Sequence, residues 1–109
     1  MEIAFSTKML RDICESEVLA YQMFDADTAK SLIARLADLR AVDKVSQIPV
    51  GNPESIDRDG EKCIKIELAR KELMIICANH SNNPMLSNNE VEWDKVSRIK
   101  ICSIGEYDG

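Results

Sequence analysis

The clearest pattern of apolar and polar positions lies in the segment Lys62–Ala78, which reads KCIKIELARKELMIICA. Every second residue from Ile64 to Leu68 is apolar and the residues between them are charged, which is the two-residue period of a half-buried strand. After a short charged break at 69–72, the run 73–77 is apolar at every position, as in a central strand covered on both faces. The segment therefore predicts a β-hairpin in the middle of a sheet.

The N-terminal part of the chain predicts one short strand and two helices. Residues Glu2–Phe5 alternate like a strand, and a helix is expected from about 8 to 24 because apolar residues recur there at near-helical spacing. Asp25 or Asp27 is a suitable N-cap for a second helix, which is expected from about 28 to 42. Two helices joined by so short a link form a helical hairpin.

The C-terminal part predicts loops around one more strand. Residues 46–59 are rich in Pro, Gly and Asn and are expected to form a loop that leads to the sheet. Residues 79–89 are polar and predict an exposed excursion, residues 90–96 predict a helical turn around Trp93, and residues 98–104 predict the last strand.

Together these elements predict a single α+β domain over residues 1–109. Its sheet is expected to be mostly antiparallel, with two N-terminal helices packed on one face and the element order β-α-α-β-β-β. No apolar run approaches the ~20 residues of a membrane span, and the N-terminus lacks the pattern of a signal peptide. We therefore expect a cytoplasmic protein with no membrane contact.

Charge is distributed unevenly along the chain. The net charge of −5 argues against non-specific nucleic-acid binding by the whole surface. Residues 58–71 nevertheless hold five basic and three acidic residues, so this hairpin is locally positive. It can contact RNA, seat an acidic segment of a partner, or simply be a solvated face of mixed charge.

The four cysteines, Cys14, Cys63, Cys77 and Cys102, form no CxxC pair, and His80 is the single histidine. This spacing gives little support to a zinc site, and we expect buried, reduced thiols with neither a metal nor another cofactor. If the hairpin turn centres on Arg70, Cys63 and Cys77 lie nearly opposite each other.

No phosphate-binding glycine loop and no nucleophile elbow occur in the sequence. One metal-free reaction fits the available residues: the 2′-hydroxyl of RNA attacks the adjacent phosphate while side chains move protons and stabilise the phosphorane. The candidate catalytic residues are Arg70, Lys71, His80 and Tyr107, and the candidate RNA-binding residues are Arg58, Lys62 and Lys65. The alternatives are that His80 is an ordinary surface residue and that Trp93 anchors its loop on the core.

Three stretches resemble a known family. FSTKMLRDICESE (5–17), AKSLIARLADLRAVDKVSQIPVGNP (29–53) and VEWDKVSRIKICSIGEYD (91–108) are similar to the RelE/ParE toxin superfamily, close to its HigB-like "killer protein" branch. The resemblance implies the toxin of a type II toxin–antitoxin module, neutralised by a cognate antitoxin. RelE and HigB members cut mRNA on the ribosome without a metal, whereas ParE members poison DNA gyrase.

The resemblance also implies site positions. The terminal tyrosine of the family corresponds to Tyr107, which is followed here by Asp108 where the family often has histidine. The arginine that the family places early in the strand after the hairpin turn corresponds to Leu73, and its loop lysine is replaced by Arg58 one place along. Two functions follow as expectations: a ribosome-dependent mRNA endoribonuclease with weakened catalysis, or a toxin-fold protein that binds an antitoxin or inhibits a target such as gyrase by contact.

Overall fold

The structure is a computed structural model that describes residues 1–106, so Tyr107 lies outside the described residues. The strands are β1 (Glu2–Phe5), β2 (Glu54–Arg58), β3 (Glu61–Glu67), β4 (Glu72–Ala78) and β5 (Arg98–Glu106), and the α-helices are α1 (Lys8–Glu15), α2 (Glu17–Met23) and α3 (Ala26–Ala41). Short 3₁₀ turns lie at Val45–Gln47, Ala69–Lys71 and Trp93–Lys95. The helical turn expected around Trp93 is thereby confirmed.

The strands form one five-stranded sheet in the order β1-β5-β4-β3-β2. The pairs β2–β3, β3–β4 and β4–β5 are antiparallel, whereas β1 runs parallel to β5. The α+β class and the central hairpin are therefore confirmed. The sheet is mixed and has five strands in the described part of the chain, where the sequence pattern gave four.

The single helix expected over residues 8–24 is wrong, because the chain breaks at Ser16. There the backbone is extended, with φ −131° and ψ 111°, and the Ser16 Oγ accepts a hydrogen bond from the Leu19 N–H at 3.2 Å. A serine favours such a cap over a helix interior because its oxygen satisfies an N–H that has no partner in the first turn. Thr7 and Asp25 cap α1 and α3 in the same way.

Strand β2 lies where the sequence predicted only a loop. Four of its five side chains are exposed, and Ile56 alone is partly buried, so no apolar alternation marks it. A two-residue turn at Asp59 and Gly60 joins it to β3, with φ +52° and +84°. These are the angles of a type I′ turn, for which Asp-Gly is a preferred sequence.

Helix α3 supplies the centre of the core. Its Leu32, Leu36 and Leu39 are at most 2% exposed. They pack against apolar residues that alternate along three strands: Ile64, Ile66, Met74, Ile76, Ile99 and Ile101. Burial of each such side chain stabilises the fold by roughly 1.5–3 kcal/mol. Three helices therefore pack on one face of the sheet, where the sequence predicted two.

A second, smaller apolar cluster lies on the opposite face of the sheet. Because side chains alternate along a strand, Cys63, Ile75 and Cys77 point away from the helices. Partly buried Leu73 and Cys102 pack against them. We call the face that holds these five residues the outer face.

Candidate functional site

The three candidate catalytic residues that the structure describes, Arg70, Lys71 and His80, do not come together. Arg70 and Lys71 lie in the 3₁₀ turn before β4, whereas His80 follows the other end of that strand. Seven strand residues at ~3.3 Å each separate the two positions by more than about 20 Å. A single scissile phosphate cannot contact both ends, and Tyr107 is outside the described residues.

Arg70 is directed towards the N-terminus of α3. Its Nε lies 3.3 Å from Asp25 Oδ1, and an Nη lies 3.3 Å from Asp27 Oδ2. The backbone N–H of Thr28 and the Arg70 guanidinium both lower the pKa of Asp25, with the hydrogen bond from Thr28 as the larger cause. Arg70 therefore has two anionic partners on the helical side of the sheet, away from the outer face.

The turn that holds Arg70 is docked on α3 by its backbone. The Ala69 N–H donates to Ser31 Oγ at 3.0 Å, and the Thr28 hydroxyl lies 3.3 Å from the Ala69 carbonyl oxygen. Arg70 and Lys71 have φ of +57° and +64°, a left-handed conformation that is unfavourable for side chains larger than glycine. The contacts with α3 hold the turn in this conformation.

Lys71 is exposed and lines a shallow cleft with Glu67, Leu68, Glu72 and Leu73. Glu72 pairs in register with Glu106, the last described residue. Lys71 forms no salt bridge with residues 1–105. The cleft offers one ammonium group beside two carboxylates, which is a poor match for a phosphate dianion but leaves a lysine available for proton transfer.

His80 has a role in the loop that follows β4. Its Nε2 accepts hydrogen bonds from the backbone N–H groups of Ser97 and Arg98, at 3.1 and 3.3 Å. Its own backbone N–H donates to Asn83 Oδ1 at 2.9 Å. The imidazole thus fixes the chain that leads into β5, and its acceptor nitrogen is already used.

The candidate RNA-binding residues are largely neutralised. Lys62 Nζ lies 2.9 Å from Asp57 Oδ2, and Lys65 Nζ lies 3.3 Å from Glu54 Oε2. The hydrogen bond between Lys62 and Asp57 raises the pKa of the lysine and lowers that of the carboxyl group. Arg58 is exposed and has no salt-bridge partner among residues 1–105. A continuous basic stripe is therefore not formed.

The outer face instead contains three cysteine thiols, a feature that the sequence indicated only in part. Cys63 and Cys77 are directly opposite in the β3–β4 register, with their sulfurs 2.8 Å apart. Cys102 Sγ lies 2.6 Å from Cys77 Sγ, next to a register shift in the β4–β5 pairing between Ile75 and Ile76. The position of Cys77 opposite Cys63 is as expected, whereas no signal in the sequence marks the irregularity that brings in Cys102.

These thiols differ in accessibility and in ionisation. Cys63 and Cys77 are at most 1% exposed, whereas Cys102 is partly exposed. Hydrogen bonds from Cys77 and from Ser6 lower the pKa of Cys102 to about 6 despite its partial burial. The hydrogen bond with Cys102 and burial raise the pKa of Cys77, and burial raises that of Cys63. The thiolate form is therefore favoured at Cys102 over Cys77 and Cys63.

One group of potential metal donors occurs among the described residues. An Oε of Glu61 and the sulfurs of Cys63 and Cys77 lie within 4.8 Å of one another. Glu61 already interacts with Lys100 Nζ at 3.8 Å and accepts from Cys77 Sγ at 3.4 Å. Structural zinc sites use four cysteine or histidine ligands, so this mixed set of three does not define one.

No protein-family model, curated protein or solved structure gives a significant match to the chain. Among residues 1–106, no helix has both the length and the apolar character needed to cross a bilayer.

Proposed function

We propose that this chain is the toxin component of a type II toxin–antitoxin module and inhibits its target by contact, with weak or no RNA cleavage. The resemblance of the three sequence stretches supports the toxin assignment. The superfamily order β-α-α-β-β-β fits the described elements when α1 and α2 are taken as one broken helix and β2 as an additional edge strand. A cytoplasmic location is part of this proposal.

Leu73 is the observation on which the contact mechanism depends. It occupies the position that the resemblance assigns to a catalytic arginine, and it packs on the apolar cluster of the outer face. A single well-placed donor to a developing oxyanion is worth about 3–4 kcal/mol, so its loss slows cleavage by roughly 10²–10³-fold. Arg70, the arginine nearest to Leu73 in the sequence, is paired with Asp25 and Asp27 on the helical side of the sheet.

A ribosome-dependent endoribonuclease is the second candidate, and Lys71 is the residue that favours it. The exposed Lys71 lies at the cleft beside Glu72 and thus close to Glu106, which pairs with Glu72. Tyr107 follows Glu106 in the sequence. In this mechanism Lys71 and Tyr107 exchange protons with the 2′-hydroxyl and the leaving oxygen of mRNA, without a metal.

The antitoxin is expected to place an extended or helical segment over the hairpin face. Arg58 and Lys65 are the basic residues suited to meet its acidic side chains, because Arg58 has no salt bridge with residues 1–105 and Lys65 has a single acidic partner, whereas Arg70 has two. The attraction between antitoxin carboxylates and these two basic side chains would be strongest at low salt, and the contact of Lys65 with Glu54 would be exchanged for one with the antitoxin. The candidate partner is the product of a small open reading frame next to this gene that encodes a helix-turn-helix protein.

Translation-coupled mRNA cleavage by the purified protein, measured beside growth arrest on induction in cells, distinguishes the two candidates. The contact mechanism predicts growth arrest with little cleavage, and arrest that persists in Lys71→Ala and Tyr107→Phe variants. Strong cleavage that is lost in either variant would favour the endoribonuclease. Strong cleavage unaffected by Arg70→Ala, Lys71→Ala and Tyr107→Phe would show that the site lies elsewhere, and absence of arrest would remove the toxin assignment.

The partner surface has its own test. Charge reversal by Arg58→Glu with Lys65→Glu should weaken the antitoxin complex, chiefly at low ionic strength. Lys30→Glu, an exposed residue of α3, is the matched control and should leave affinity unchanged. Equal affinity of the double variant and the parent would place the interface on another surface.

A further inference from the structure

The three thiols of the outer face form a row across three neighbouring strands. β4 lies between β3 and β5 in the sheet, and Cys77 Sγ contacts both Cys63 Sγ at 2.8 Å and Cys102 Sγ at 2.6 Å. The outer strands of such a row are about 10 Å apart, which is too far for a disulfide between Cys63 and Cys102. Cys77 can pair with either neighbour, but with only one at a time, because its sulfur forms a single S–S bond. This arrangement suits exchange of a disulfide between two positions.

The pair Cys63–Cys77 and the thiol of Cys102 differ in geometry and in exposure to solvent. Cys63 and Cys77 are directly opposite on antiparallel strands, where Cα atoms lie roughly 4.5–5.5 Å apart, within the range that a disulfide spans. Both are buried, so a dissolved oxidant does not reach them directly. Cys102 is partly exposed, and its sulfur touches only Cys77 within the row.

We propose that the outer face is an oxidisable thiol relay, in which Cys102 reacts with a hydroperoxide and the disulfide is passed through Cys77 to the register-matched pair Cys63–Cys77. This proposal is independent of the toxin assignment, because it needs no RNA and no partner protein.

The relay proceeds in three chemical steps, in each of which atoms and electrons balance. The Cys102 thiolate attacks a peroxide oxygen, the O–O bond breaks, and Cys102 sulfenic acid forms as hydroxide leaves. The Cys77 sulfur then attacks the Cys102 sulfur, the S–O bond breaks, and the hydroxyl group leaves with the Cys77 proton as water. Finally the Cys63 sulfur attacks Cys77, Cys102 leaves as thiolate, and the proton of Cys63 passes to solvent. Two thiols are oxidised to one disulfide, and one hydroperoxide is reduced.

The neighbouring groups support these roles. The lowered pKa of Cys102 gives a thiolate near neutral pH, and the same property makes Cys102 a good leaving group in the exchange step. The raised pKa values of Cys63 and Cys77 keep the buried pair protonated until an adjacent sulfur reacts. Cys14 lies against the helical core instead, and burial raises its pKa to about 11.

The experiment treats the full chain with hydrogen peroxide, quenches with iodoacetamide, and maps disulfides by proteolysis and mass spectrometry. The parent should gain one intramolecular disulfide, Cys63–Cys77. Cys102→Ser should slow its formation at least about tenfold, because the two thiols that remain on the outer face are both buried. Cys63→Ser should stop the relay at Cys77–Cys102, and Cys77→Ser should leave a Cys102 sulfenic acid that dimedone traps.

Cys14→Ser is the matched control and should oxidise at the parent's rate. Oxidation of Cys102→Ser as fast as the parent would overturn the role of Cys102 as the site of peroxide attack. A disulfide that includes Cys14, or one that forms only between chains, would overturn the relay itself. Because a variant can lose its fold, native parent protein is also alkylated with limiting iodoacetamide: Cys102 should be modified first, and first modification of Cys63 or Cys77 would contradict the proposal.

Discussion

Thr28 is the buried polar side chain that joins α3 to the β3–β4 turn. It is 0% exposed, and its hydroxyl lies 3.2 Å from Asp25 Oδ2 and 3.3 Å from the Ala69 carbonyl oxygen. Thr28→Val retains the volume of the side chain but removes the hydroxyl. The Ala69 carbonyl then loses a donor at a partly buried position.

The expected cost follows from that lost donor. Leaving a buried acceptor unsatisfied costs about 1–3 kcal/mol, and partial access of water to Ala69 places this case near ~1–2 kcal/mol. For a domain of this size, a change of that order lowers Tm by roughly 4–8 °C per kcal/mol. Thr28→Ser keeps the hydroxyl and loses one methyl group, for which the transfer free energy is about 0.8 kcal/mol.

Urea unfolding measures the free energy of unfolding of each variant. Amide hydrogen exchange then distinguishes the loss of the hydroxyl contact in Thr28→Val from the loss of a methyl group in Thr28→Ser. Thr28→Val should accelerate exchange at the Ala69 N–H, which Ser31 Oγ holds, because the turn is less firmly docked. Thr28→Ser should leave that amide as protected as in the parent. Unfolding of Thr28→Val within error of the parent, or equal acceleration in both variants, would refute the docking role of the hydroxyl.

Three further predictions concern the core, a loop and pH. Leu36→Ala should cost ~2–5 kcal/mol in a urea melt, because Leu36 is 2% exposed in the main core, and an unchanged midpoint would place it outside that core. Gly51→Ala should destabilise by ~1–3 kcal/mol, since Gly51 has φ +98° and a Cβ there would lie 2.7 Å from Ile66 Cγ2; Gly60→Ala, which also has positive φ but no atom within 4 Å of such a Cβ, is the control and should cost less. The pKa values of Asp25 and Asp57 are lowered in the folded state, so their stabilising contribution is present above the unfolded value of about 4 and is lost as pH falls through the lower folded values. The urea midpoint should therefore fall below about pH 4, and Asp57→Asn should reduce that dependence; a parallel pH profile in the variant would contradict it.

The sequence predicts strands correctly where burial of one face of the strand imposes an alternation of apolar and polar side chains. Alternation in β3 and the apolar run of β4 gave the hairpin and placed Cys63 opposite Cys77, because register follows once the turn is located. The prediction failed at β2, whose exposed residues follow no apolar period, although Asp59-Gly60 is a hairpin signal in its own right. The break at Ser16 was missed because the apolar spacing continues through it.

The candidate site was harder to predict than the fold, for a physical reason. The positions of basic residues in a sequence do not show which acidic residues will pair with them in the fold. Lys62, Lys65 and Arg70 all form salt bridges with acidic residues that are distant in the sequence or that no sequence pattern singles out. The contact of Cys102 with Cys77 accompanies a register irregularity, which has no hydrophobic signature. Tyr107 lies outside the described residues, so its placement stays a prediction.

The parallel pairing of β1 with β5 determines when the fold can be completed during synthesis. β5 inserts between β1 and β4, and Glu2 pairs with Arg98, so the first strand has no neighbour in the sheet until nearly the whole described chain has been made. Contacts between positions so distant in sequence close large loops and form late. A nascent chain can assemble the helices and the β2–β4 meander on the ribosome, but its main core stays open along one edge until β5 emerges. We therefore expect the N-terminal strand to stay unpaired in the sheet until β5 has left the ribosome.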